Sequence, residues 1–220
     1  MDEQKTPDFA ENDPDSTLRD RLADAVASEA SFEGWTRAAL ASAARGLDLP
    51  AGEGERLFPG GPLDVLTFLS RRSDLRMVED MEKEGVVALK IRDRIKGAVR
   101  IRLERHSGQR ESARRALSLL SLPFNAPLAL KLLYGTVDAM WYAAGDTSTD
   151  FNFYTKRATL AGVYSSTLLY WLNDRSPGAE ATWAFLDRRI DDVMRIEKLK
   201  GQVRSWTNPK QAAAGPAARR

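Results

Sequence analysis

Apolar residues recur every three or four positions along almost the whole chain, between Gly and Pro breaks, with few alternating runs to compete. That period lines one face of a helix, whereas a half-buried strand needs a period of two. The spacing predicts nine helices with short links, hence an all-α bundle. Ser16 or Thr17 can cap the first, over 16–30, where Leu18, Leu22, Ala25 and Val26 form one stripe. The second covers 35–45 with Gly46 as its stop, and a short third follows Pro50 to about 57. Pro62 opens the fourth, over 63–84, and the fifth covers 86–106. The rest fall at 111–120, 127–144, 151–173 and 179–200. Residues 1–15 read as a disordered acidic start and 207–220 as a disordered basic tail. The expected division is an N-terminal part over 16–62 and a C-terminal helical bundle over 63–206.

Composition removes several chemistries. The chain has 220 residues, no cysteine and one histidine, His106. Disulfide frameworks, thiol nucleophiles, multi-histidine metal sites and a Ser-His-Asp triad are therefore not expected. No Glu-x-x-His pair, Gly-x-Gly-x-x-Gly or Gly-x-x-x-x-Gly-Lys occurs, so helical di-iron and nucleotide sites have no motif support. No metal or cofactor is expected. His106 lies near the end of the fifth helix, where an imidazolium would suit the helix dipole. The longest charge-free runs are 158–173 and 116–130, short of the ~20 residues that span a bilayer. With no visible signal peptide, the expectation is a soluble intracellular protein, at most peripheral to a membrane.

The net charge is +2, but residues 90–115 hold ten bases against three acids. On the fifth helix these bases face away from Ile91, Ile95, Ala98, Val99 and Leu103. Three readings remain open: a solvated face, attraction to anionic lipid headgroups, or nucleic acid, the last weakened because few aromatics interleave.

The segment Phe32-Glu33-Gly34-Trp35-Thr36, the short third helix, and Phe58-Pro59 before the fourth resemble the N-terminal part of tetracycline-repressor (TetR) regulators. A recognition helix needs cations for phosphate. Here 48–58 carries Asp48, Glu53 and Glu55 against Arg56 alone, and Gly52 and Gly54 weaken the helix. The expectation is a vestigial helix-turn-helix, retained as a fold piece, with no specific nucleic acid partner.

Residues 137–157, VDAMWYAAGDTSTDFNFYTKR, read as a helix end, a turn dense in capping acceptors, and a helix start, crowded by aromatics. This could be a capped hairpin packed by its rings, or an exposed aromatic and Met patch for a partner. Asp146 and Asp150 could pair as acid and base, but capping explains them more simply.

Trp35-Thr36, the run ALSLLSLPFNAP over 116–127, Asp138-Ala139-Met140-Trp141, Ala144-Gly145-Asp146, STDFNFYTKR over 148–157 and Trp183-Ala184-Phe185-Leu186 resemble the coenzyme Q (ubiquinone) biosynthesis protein nine family. The resemblance covers about 18–200. It implies a TetR-like fold that binds isoprenoid lipid between its C-terminal helices. It implies a peripheral, non-enzymatic accessory role, presenting a late quinone precursor to the di-iron demethoxyubiquinone hydroxylase. The family's partner patch falls here on Met140, Trp141, Asp150, Phe153, Tyr154 and Arg157. Phe153 stands where mitochondrial members carry Trp, and the short, Pro- and Ala-rich 205–220 is not expected to supply their amphipathic membrane helix.

The apolar stripes Leu128, Leu132, Val137 and Leu160, Tyr164, Leu168 are the lipid-lining candidates; without the resemblance they would read as plain core. No catalytic residue is expected. Expected partners are an isoprenoid quinone or phospholipid, the hydroxylase, an anionic membrane surface and a second copy in a homodimer. A bacterial cytoplasmic location beside the inner membrane follows. The alternative is a ligand-responsive TetR-type transcription regulator.

Overall fold

The computed structural model describes residues 14–146 and 151–207. Among them are nine α-helices: α1 Pro14–Glu33, α2 Arg37–Gly46, α3 Glu53–Leu57, α4 Pro62–Lys83, α5 Ile91–Glu104, α6 Arg110–Leu120, α7 Ala126–Ala143, α8 Phe151–Asn173 and α9 Glu180–Thr207. No strand occurs among the described residues. The helices group into two compact units, α1–α7 and α8–α9.

The N-terminal helices close over one apolar core. Leu22, Val26, Leu40, Phe58 and Val65 are fully buried there, and Leu18 and Ala25 pack at its edge. The turn before α2 is built by three successive residues. Gly34 takes φ +78°. Trp35 is buried and its indole Nε1 donates to the Ser112 carbonyl on α6 at 2.9 Å. Thr36 caps α2, its Oγ1 accepting from Ala39 N at 3.0 Å. A sequence-local motif thus locks α1–α2 to a helix 77 residues away.

α3 is short and acidic, as expected. Its base Arg56 is bound to Glu53 within the helix, at 2.9 and 2.7 Å. The glycines weaken it less than expected. Gly52 stands outside as the N-cap, and Gly54 is buried where a Cβ would lie 3.4 Å from Ala44 and 3.5 Å from Leu40.

The continuous fifth helix over 86–106 is corrected. Val86–Ala88 is a separate 3-10 turn and α5 starts at Ile91. The chain leaves α4 through Gly85 at φ +69°, and Leu89 is extended. The reason is tertiary: Val86 folds back onto α5 so closely that a Cβ at Gly97 would lie 2.6 Å from Val86 Cγ1. A glycine within a helix costs about 1 kcal/mol, and here it admits the returning chain.

α4, α5 and α7 meet around a buried polar group. Arg102 Nε donates to Asp74 Oδ1 at 2.8 Å, and Thr136 Oγ1 lies 3.0 and 3.1 Å from the two Asp74 oxygens. His106 Nε2 sits 2.7 Å from Arg102 Nη1. Burial, then the charges of Arg102 and Arg72, push the imidazole down to about 3. The expected dipole-stabilised imidazolium is therefore replaced by a neutral ring accepting from Arg102.

In the second unit α8 and α9 are joined by a capped corner. Asp174 Oδ2 accepts from Thr182 N at 2.9 Å and from its hydroxyl at 2.6 Å, while Oδ1 accepts from Ser176 N at 2.8 Å. Tyr170 of α8 stacks on Phe185 of α9, with centroids 4.6 Å apart. α9 continues seven residues beyond the expected end near 200.

Candidate functional site

The end of α7 is shaped by its stop signal. Gly145 takes φ +81°, where a side chain would be strained, so the helix closes with Gly145 N bonded to the Tyr142 carbonyl and Asp146 N to that of Trp141. Arg94 reaches across from α5 and donates to the Ala144 carbonyl at 3.0 Å, placing a cation at the negative helix end. Around this stop Met140 is fully buried, Trp141 is half-buried and Tyr142 is 76 % exposed. Met140 thus offers no surface of its own. Asp150, and the capping run 147–150, lie outside the described residues.

The other patch residues occupy the start of α8. The Arg157 guanidinium lies 3.3 Å from the Phe153 ring centroid, and its Nη1 is 3.4 Å from the Phe153 carbonyl. Phe153 meets Tyr154 edge to face, with centroids 5.2 Å apart. A cation over a ring face is attracted by the ring quadrupole. Arg157 is buried and Tyr154 is 67 % exposed, so within this trio Arg157 and Phe153 form a footing and Tyr154 presents the surface. Phe153, Tyr154 and Arg157 are brought together on α8, and Met140 and Trp141 on α7.

The lipid-lining candidates form one stripe per unit. On α7 Leu128 and Leu132 are half-buried and Val137 is fully buried. On α8 Leu160 and Tyr164 are buried and Leu168 is half-buried, at four-residue spacing.

The basic segment carries less free charge than its count suggests. Arg94 donates to Leu89 and Ala144 carbonyls, Arg100 pairs with Glu104, Arg102 with Asp74, Arg105 with Asp80, and Arg114 and Arg115 both with Glu111. Sequence counting missed this because pairing depends on which acids the fold delivers. Among the described residues no group of three or more His, Cys, Asp or Glu could hold a metal ion.

The family model for COQ9 matches residues 126–197, which hold the end of α7 and the start of α8. The chain is 41% identical to the mitochondrial ubiquinone biosynthesis protein COQ9-B of Xenopus laevis, over 78% of this chain and 61% of that protein. It is 37% identical to the mitochondrial ubiquinone biosynthesis protein COQ9 of Bos taurus, over 86% and 61%. The chain therefore spans about three fifths of the length of the curated relatives it matches. A solved TetR transcriptional regulator from Nitrosomonas europaea superposes with a TM-score of 0.66 at 24% identity, covering 80% of this chain and 97% of that one. That likeness concerns the fold alone. By the family-model match over α7–α9 and 37–41% identity along most of the chain, this chain is COQ9-like in sequence and TetR-like in fold.

Proposed function

We propose that this chain is a lipid-binding accessory protein of ubiquinone biosynthesis. In this reading an isoprenoid quinone precursor is its ligand, and the apolar stripes described above are the candidate lining residues. It presents that precursor to the demethoxyubiquinone hydroxylase through the exposed Tyr154 of α8, performing no chemistry itself. It would act as a homodimer on the cytoplasmic side of a bacterial inner membrane.

The observation that carries the reading is the similarity to ubiquinone biosynthesis proteins along most of the chain. The state of α3 supports it. A helix whose base is already bound to Glu53 has little to offer phosphate, the main source of DNA affinity.

The test is mass spectrometry of lipid extracted from the purified chain, with a pull-down of the hydroxylase and a gel shift on promoter fragments. Copurifying isoprenoid quinone and hydroxylase capture are expected. An empty protein that shifts DNA in a sequence-selective, salt-sensitive way would establish the regulator reading instead.

A further inference from the structure

The corner between α6 and α7 exposes apolar side chains that the bundle does not use. Leu122 precedes the 3-10 turn Pro123–Asn125 and Phe124 lies within it; they are 39 % and 76 % exposed. Leu130 and Tyr134, four residues apart on α7, are 66 % and 49 % exposed. Among the other exposed large apolar residues, Phe32 and Leu75 stand singly on α1 and α4, Leu89 and Ile91 lie at the start of α5, and Tyr142 ends α7. Exposed apolar groups that recur from this corner along the first turns of α7 mark an interaction site.

The corner is held in shape. Asn125 is buried, its side-chain amide donates to the Leu119 carbonyl at 2.9 Å, and its N–H bonds to the Leu122 carbonyl. The bent pair 107–120 and 123–143 turns through 95° here. Phe124 therefore projects because the fold directs it outward.

Charge identifies the occupant. No acidic residue occurs between positions 112 and 137; Arg114 and Arg115 are paired with Glu111, which leaves Lys131 as the cation of this stretch outside an ion pair. Lys131 is exposed beside Leu130. An apolar tip free of acids and beside an exposed lysine matches an anionic phospholipid surface, whose headgroups attract cations while the acyl boundary accepts rings and leucines. The same bent pair is apolar enough in composition for membrane contact, though no single helix among the described residues is long and apolar enough to cross one.

We infer that the α6–α7 corner is a shallow membrane-insertion element for anionic bilayers, with Leu122, Phe124 and Leu130 entering the acyl boundary and Lys131 meeting headgroups. The membrane-facing role thereby moves from the basic face of α5, where Arg94 and Arg100 hold internal partners, to this corner. The inference rests on the lipid-carrier reading only for the reason to visit a membrane. Vesicle partition and extracted lipid are separate readouts, so either can fail alone.

The test is flotation of the full chain with vesicles of phosphatidylcholine, alone or with roughly one part in three phosphatidylserine. The pair Leu122→Ser with Phe124→Ser should weaken partition about tenfold, with helical content unchanged. Phe32→Ser with Leu75→Ser, an equal apolar loss elsewhere, should partition as the parent. Lys131→Glu should weaken binding on the anionic vesicles alone. Should the double variant unfold, Phe124→Trp replaces it, and quenching by brominated lipid beyond that of the parent is expected. Parental partition of the folded double variant, equal quenching of Phe124→Trp, or a fall in oligomeric mass without vesicles would overturn the inference; the last would make the corner an interface between copies.

Discussion

Arg102 of α5 and Asp74 of α4 form a buried ion pair, Nε to Oδ1 at 2.8 Å, with both side chains nearly sealed from solvent. Thr136 of α7 joins the same carboxylate, so three helices share one polar knot. A buried pair is weak evidence for net stability, yet removing one partner strands a charge.

Asp74→Ala should therefore destabilise the chain by about 3–5 kcal/mol in urea denaturation. Replacing both partners with apolar residues of similar volume should cost much less. Equal losses for the single and double changes would show that the pair's charges do not govern the site.

His106 adds a pH dependence. Its folded value lies near 3, below the ordinary 6.5, so the native ring stays neutral where the unfolded ring binds a proton. Stability should fall as pH drops below 6.5, with a slope reaching about 1.4 kcal/mol per pH unit before other acids titrate. His106→Gln should flatten the curve between pH 6.5 and 5. An unchanged slope in that variant would contradict the neutral assignment.

Gly97→Ala should destabilise the parent although alanine is the better helix former, because its Cβ would meet Val86 Cγ1 at 2.6 Å. In a Val86→Ala background the same change should become neutral or stabilising by up to about 1 kcal/mol. Thermal melts of the four proteins form the cycle.

Tyr154→Ala should reduce hydroxylase capture with little change in melting, since the ring is mostly exposed. Arg157→Ala should lower both, because the guanidinium is buried against Phe153. Losing a cation–π contact of this kind costs on the order of 1–2 kcal/mol. Normal capture by folded Tyr154→Ala would remove that ring from the docking surface.

The helices, their order and most of their ends were legible in the sequence. A helix reports its own apolar face through local spacing, and Thr36, Pro62 and Gly145 act on backbone groups within a turn of themselves. The motif over 137–157 was legible for the same reason. What the sequence could not decide was which neighbour covers a given side chain. Periodicity marks Met140 and Leu130 alike as apolar, but only packing buries the first and leaves the second 66 % exposed. Likewise, ten clustered bases read as one field, yet the tertiary fold brings Asp74 and Asp80 from α4 to two of them and turns Arg94 onto the end of α7. The break before α5 was settled at the same level, since the clash of Val86 with anything larger than glycine at 97 exists only once the chain has folded back.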